Sequence, residues 1–180
     1  MANKPERLSS DCCSLSDIQK WFVLYTKSRH EKFVESALIE KGIESFAPTV
    51  LLRKRWSDRI KYVEEPLFKS YCFAKFSLKN QAEILFQKGI VKIVRFGERY
   101  PCVQESVINS LKILEEQDIK LEPYPYLKIG TRVVIEKGPL QGVEGYIVEK
   151  RKQETMLVIS VDVILSSAKF IIDAAFVDPA

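Results

Sequence analysis

The sequence predicts an α+β domain, an antiparallel sheet with helices, followed by a small β-barrel. Three observations carry this. Up to residue 118, short β-branched and aromatic runs are interspersed with segments of helical period. Glu122-Pro123-Tyr124-Pro125-Tyr126 then interrupts the pattern with alternating prolines, which disfavour helix and stiffen an extended path. Beyond it lie only short strand-like runs joined by Gly and Pro turns, the texture of a small barrel.

Residues 1–20 are polar and without period, and are read as a flexible leader. Trp21-Phe22-Val23-Leu24-Tyr25-Thr26 is a strand apolar on both alternating sets. Ser28-Arg29-His30-Glu31 has the spacing of a capping box, and Phe33, Val34, Ala37, Leu38 and Lys41 then share a helical face that Gly42 ends. Residues 43–52 and 62–68 are the arms of a hairpin tipped by Ser57-Asp58, with Pro48 at an edge or bulge. Residues 70–76 form a further strand. Asn80-Gln81-Ala82-Glu83 caps a short helix through Lys88, closed by Gly89, and 91–96 return as a strand. Val107, Leu111 and Leu114 place a third helix within 104–118. The organisation expected is a leader (1–20), a first domain (21–120), a linker (121–127) and a second domain (128–180). Strands of the second domain are expected at 131–136, 143–149, 155–165 and 169–172.

With 46% hydrophobic and 29% charged residues, the composition is that of a folded globular chain. The net charge of +4 is unevenly placed: residues 21–120 hold 18 basic against 13 acidic residues, residues 121–180 seven against eight. The first domain therefore carries the positive charge, which is compatible with contact to nucleic acid. Cys12, Cys13, Cys72 and Cys102 form no CxxC pair and His30 is the single histidine, so no zinc spacing exists and the cysteines read as buried or incidental thiols. No run of about 20 apolar residues is present. A monomer in the cytoplasm, without metal or cofactor, is expected. A nucleophile motif and a Gly-rich phosphate loop are also missing, which argues against an enzyme.

Two features point to partners. In residues 70–76, Tyr71, Phe73 and Lys75 alternate with Cys72, Ala74 and Phe76, so both faces of the sheet are apolar and the second needs cover from a helix, the second domain or a partner. Residues 53–61 carry five cations and one acid around Trp56, a pattern that can track phosphates and offer a stacking ring. In the second domain, Gly138-Pro139-Leu140-Gln141-Gly142 followed by Gly145 requires positive φ and close backbone approach.

That last spacing matches the KOW pattern, and over residues 21–178 the chain resembles the NusG family of transcription factors. Trp21-Phe22-Val23-Leu24-Tyr25 is similar to the family's opening strand. Pro66-Leu67-Phe68-Lys69-Ser70-Tyr71-Cys72-Phe73 is similar to its Pro-Leu-Phe-Pro-x-Tyr-x-Phe segment, with lysine for the second proline. Val94-Arg95-Phe96-Gly97 resembles the RfaH branch. Arg55-Trp56-Ser57-Asp58-Arg59 followed by Val63-Glu64-Glu65-Pro66-Leu67-Phe68 is similar to UpxY-type specialised paralogues.

The resemblance implies an N-terminal NusG (NGN) domain and a KOW β-barrel. It implies docking on the β′ clamp helices of RNA polymerase through Tyr25, Tyr71, Phe73 and Phe96, with reduced pausing or termination on selected operons such as those for surface polysaccharides. Lys27 and Lys88 match the family's contacts to exposed non-template DNA, with Arg29 and His30 beside the first; with the basic hairpin residues Arg53 and Arg55 they form the nucleic-acid-binding set, nascent RNA included. The chain is about two residues shorter before Gly89 and has no His-Thr-Thr element near Asn80, so its DNA target differs. Ile164 stands where NusG uses an aromatic to touch a small-subunit ribosomal protein. RfaH can refold its KOW segment into helices; the β-branched runs at 133–135 and 156–165 favour a barrel at rest here. The alternative is a KOW-type RNA-binding or ribosome-associated protein, whose binding would rest on the basic hairpin and fall steeply with salt.

Overall fold

The computed structural model describes residues 17–55, 59–117, 119–126, 130–150 and 154–173. Cys12, Cys13 and most of the expected leader lie outside them, as do the hairpin tip Trp56-Ser57-Asp58 and linker residue Leu127. The first sheet has the order β2-β5-β1-β6, from β1 (Lys20–Thr26), β2 (Ser45–Phe46), β5 (Tyr71–Phe76) and β6 (Ile90–Ile93). β3 (Thr49–Arg55) and β4 (Ile60–Pro66) form a separate two-stranded ladder. Trp21 pairs with Lys75, Val23 with Phe73 and Tyr25 with Tyr71, so each alternating set of β1 faces the same way as its partner in β5.

One face, formed by Phe22, Leu24, Cys72, Ala74 and Phe76, is buried with Val34 and Leu38 of α1 (Glu31–Ile39) and Ile84 of α2 (Gln81–Leu85). Trp21, Val23, Phe46 and Phe73, on the opposite face, are buried with Ile108, Leu111 and Leu114 of α3 (Glu105–Glu116). The surplus apolar face is thus covered over part of its length by the third helix. Ion pairs at the rim hold α3 down: Lys75 to Glu105 (2.7 Å) and Lys112 to Glu44 (2.8 Å). The Glu115 carboxylate accepts from both the Thr49 amide (3.0 Å) and its hydroxyl (2.9 Å) at the base of the hairpin.

The second sheet has the order β7-β11-β10-β9-β8, from β7 (Glu122–Pro125), β8 (Thr131–Val134), β9 (Glu144–Lys150), β10 (Glu154–Val161) and β11 (Ser166–Asp173). It is antiparallel throughout, and β8 and β10 adopt the strand conformation their β-branched runs favour. α3 also lies against β9 and β10, where the buried Ser110 hydroxyl accepts from the Glu144 amide at 2.9 Å. Apolar residues of both sheets consequently belong to one continuous core with α3 at its centre. Gly138 and Gly142 take φ of 84° and 89° in the turn before β9. A Cβ on Gly145 would stand 3.2 Å from the Val158 carbonyl oxygen, the close approach its position suggested.

Four expectations are corrected. The sheet of the second half is not closed: β7 and β8 are its two edges, unpaired with each other among the described residues. Proline lacks the amide donor, and Pro123 and Pro125 both turn that deficit to the outer edge of β7, so it cannot close a ladder there. For the same reason the segment read as a linker is an edge strand, pairing Glu122 with Lys169 and Pro125 with Ser166. The Ser28 capping box does not form. Arg29 takes φ 63°, the helix starts after His30, and the Glu31 carboxylate instead accepts from the Ser70 amide at 2.6 Å. The buried face of α1 is accordingly Glu31, Val34, Glu35 and Leu38, leaving Phe33 49% exposed. Finally, α2 is introduced by a short 3-10 turn (Leu78–Asn80) that Ser77, not Asn80, caps through the Lys79 amide.

Candidate functional site

Burial along β5 falls off at its N-terminal end. Phe73 is 0% exposed, whereas Tyr71, two residues earlier on the same face, is half-buried. Its ring meets that of the half-buried Tyr25 edge-on, with centroids 5.6 Å apart, and the Lys92 ammonium sits 5.6 Å from the Tyr25 ring centre. This end of the sheet therefore offers two contiguous amphipathic rings with a cation above one of them.

The loops that meet here are tied together by backbone hydrogen bonds. The Thr26 amide donates to Ser70 O (2.9 Å), the Lys27 amide to Gly89 O (2.8 Å) and the Ser70 amide to Glu31. Gly89 takes φ 99°, and a Cβ there would press on Val34 Cγ2 at 2.9 Å and approach His30 Cδ2 at 3.4 Å. The three loops thus carry Lys27, Arg29 and Lys88 exposed, and His30 half-exposed, to one end of the domain. His30 Nδ1 lies 3.0 Å from Ser28 O. Lys69 is also exposed on the loop that Glu31 fastens. Among the described residues only Arg29, Ser70 and Leu165 are non-glycines with positive φ, so two of the three strained positions lie in these loops. Neither strained residue announces itself in the sequence. Glu31 could have been found as an acid placed on the apolar stripe of α1.

The remaining expected residues lie elsewhere. Phe96 is 56% exposed in a tight turn closed by its amide on Arg99 O (2.9 Å), with Gly97 at φ 60°, which ends β6 at Ile93 rather than at residue 96. The register pairs Tyr25 with Lys92 and Leu24 with Ile93, so the chain runs away from Tyr25 and Phe96 lies beyond the end of β6. Arg53 and Arg55 belong to the separate hairpin ladder, opposite Tyr62 and Ile60; Arg55 is exposed, and the Arg53 side chain lies outside the described residues. Ile164, in a 3-10 turn (Asp162–Ile164), is half-buried against the core, while its neighbour Leu165 is the exposed one at 62%.

Burial, and secondarily the charge of Glu35, pushes the Cys72 thiol well above its ordinary range, so it is protonated and inert. Among the described residues no group of three or more His, Cys, Asp or Glu side chains is placed to hold a metal ion. In that same portion no helix is long and apolar enough to cross a membrane.

Curated proteins provide no match to the chain. Its structure is similar to one described as "Domain interaction in Thermotoga maritima NusG", with 18% identity, a TM-score of 0.47 and an alignment over 89% of this chain and 97% of that one. The family model described as "Transcription termination factor nusG" matches residues 19–112. These residues hold the whole four-stranded sheet, the hairpin ladder and most of α3. The chain therefore belongs to the NusG family, non-enzymatic transcription elongation and termination factors that work with RNA polymerase.

Proposed function

We propose that the open end of the first sheet docks on the clamp helices of the polymerase β′ subunit, and that the chain thereby acts as an elongation and antitermination factor reducing pausing or termination. The observation that carries this is the Tyr25–Tyr71 pair, half-buried at the end of the sheet where burial falls off. A partner that covers both rings gains their burial at little ordering cost, because the edge contact already fixes them. Phe96, in the turn that follows β6, adds a second contact, and Phe73 supports the sheet from the core without touching the partner.

Lys27, Arg29, His30 and Lys88 lie in loops at the same end, next to Tyr25, where a polymerase-bound factor contacts the non-template strand. Arg53 and Arg55 on the hairpin supply a second phosphate contact, to DNA or nascent RNA. The likeness of the hairpin and of residues 63–68 to UpxY-type paralogues favours action on selected operons, among them surface-polysaccharide operons. The second sheet, a KOW unit by its Gly138 to Gly145 spacing, offers Ile164 and its neighbours to a small-subunit ribosomal protein. A monomer in the cytoplasm is the acting form.

Binding of the full chain to core RNA polymerase, with Phe96→Ser compared with Arg53→Ala plus Arg55→Ala at low and high salt, tests the reading. Loss in Phe96→Ser with an unchanged circular dichroism spectrum is expected. If polymerase binding is absent and only the hairpin variant alters a salt-sensitive affinity for RNA, the RNA-binding alternative replaces it.

A further inference from the structure

Phe86 is 89% exposed, the most exposed large apolar side chain among the described residues. It stands at the C-cap of α2, two residues before Lys88 and three before Gly89. Phe33, on the outer side of α1, is 49% exposed and meets the His30 ring edge-on with centroids 6.1 Å apart. His30 in turn abuts Gly89, whose carbonyl holds the Lys27 amide. The first turn of α1 and the turn between α2 and β6 therefore meet at Gly89, and Phe33, Phe86, Lys27, Arg29 and Lys88 are among the exposed side chains of these segments. The buried acid of this region, Glu31, is committed to the Ser70 amide, and Glu35 pairs with Lys32 at 3.1 Å and accepts from the Ala47 amide at 2.8 Å.

Exposed rings set among cations suit an unpaired polynucleotide: bases offer π-faces for stacking and phosphates offer charge, whereas a duplex hides those faces. We infer that Phe33 and Phe86 are stacking platforms for bases of single-stranded DNA whose phosphates lie along Lys27, Arg29 and Lys88, an assignment that rests on the nucleic-acid reading of those cations given above. It adds base stacking to a contact otherwise purely electrostatic.

The test is fluorescence anisotropy of the full chain with a short, labelled, mixed-sequence deoxyoligonucleotide, over a salt series. Phe33→Leu and Phe86→Leu keep the apolar surface and remove the ring. Each is expected to weaken binding about five-fold or more without changing the slope against salt, while Phe86→Trp retains it. Lys27→Ala plus Lys88→Ala is expected to weaken binding and flatten that slope. If the lysine variant behaves so but both leucine variants bind as the parent does, stacking is overturned and the cation reading survives. If the lysine variant changes nothing, both fall. Tighter binding of the same sequence as a duplex, or as RNA, would also overturn the assignment.

Discussion

Tyr71 and Phe73 share a strand, a face and a neighbouring strand, yet one belongs to the surface and the other to the core. Phe73 is buried in one cluster with Ile108, Leu111 and Leu114 of α3, a helix held by Lys75 and Lys112, and its ring meets Phe68 edge-on at 6.0 Å. Around Tyr71 the apolar face ends in paired tyrosines, a lysine above one ring and loops fastened by Glu31. The difference shows that an apolar face is not by itself a docking surface: where the helix reaches it, it is core, and only the remainder is available to a partner.

The largest expected effect probes the sealed end. Phe73→Ser empties a fully buried site and places a hydroxyl there, and should cost about 3 to 5 kcal/mol. Denaturant unfolding would read this, and a loss no greater than that of a surface variant would break the comparison. Glu31→Ala comes next. It leaves the Ser70 amide without its acceptor in a part-buried loop and should cost about 1 to 3 kcal/mol, with faster amide exchange at Ser70 than in the parent.

In the turn after β6, Phe96→Ser should shift stability by no more than about 0.5 kcal/mol, since its ring is 56% exposed. Thermal unfolding checks that, and a large shift would place Phe96 with the core residues. The smallest effect lies far from both ends. Lys120 first, and Lys169 beside it, hold the Glu122 carboxyl at about 2, below the ordinary carboxylate range. A depressed carboxylate stabilises the fold above its unfolded value near about 4.3 and loses that contribution as the pH falls toward about 2. Solvent screens the pair, so the change is small. Urea midpoints in that window should fall less for Glu122→Gln than for the parent.

The sequence pattern foretold the helices and most strands because their signals are local: α3 from the spacing of Leu111 and Leu114, and the turn before β9 from Gly138 and Gly142. Its failures involve partners distant in the chain. Glu31 and Glu35 are buried because the Ser70 and Ala47 amides meet them across the fold, and this rotates α1 away from its apolar stripe. The prolines at 123 and 125 read as a spacer until β11 is seen beside them. Of the proposed interface, Tyr71 was legible from alternation along its strand, and Tyr25 from the likeness of residues 21–25 to the family's opening strand. The burial of Phe73 was not, since alternation marks its face but not how far a later helix covers it. Nor was the gathering of Lys27, Arg29 and Lys88, which depends on the bond from Lys27 to Gly89.

Site-specific photo-cross-linking to core RNA polymerase tests the division of the face most directly, with p-benzoylphenylalanine replacing Tyr25 in the full, folded chain. An adduct with the β′ subunit, mapped to its clamp helices, is the result expected. No adduct from position 25, alongside an efficient one from the same probe at Arg55, would contradict the assignment of the open end as the docking surface and move it to the hairpin.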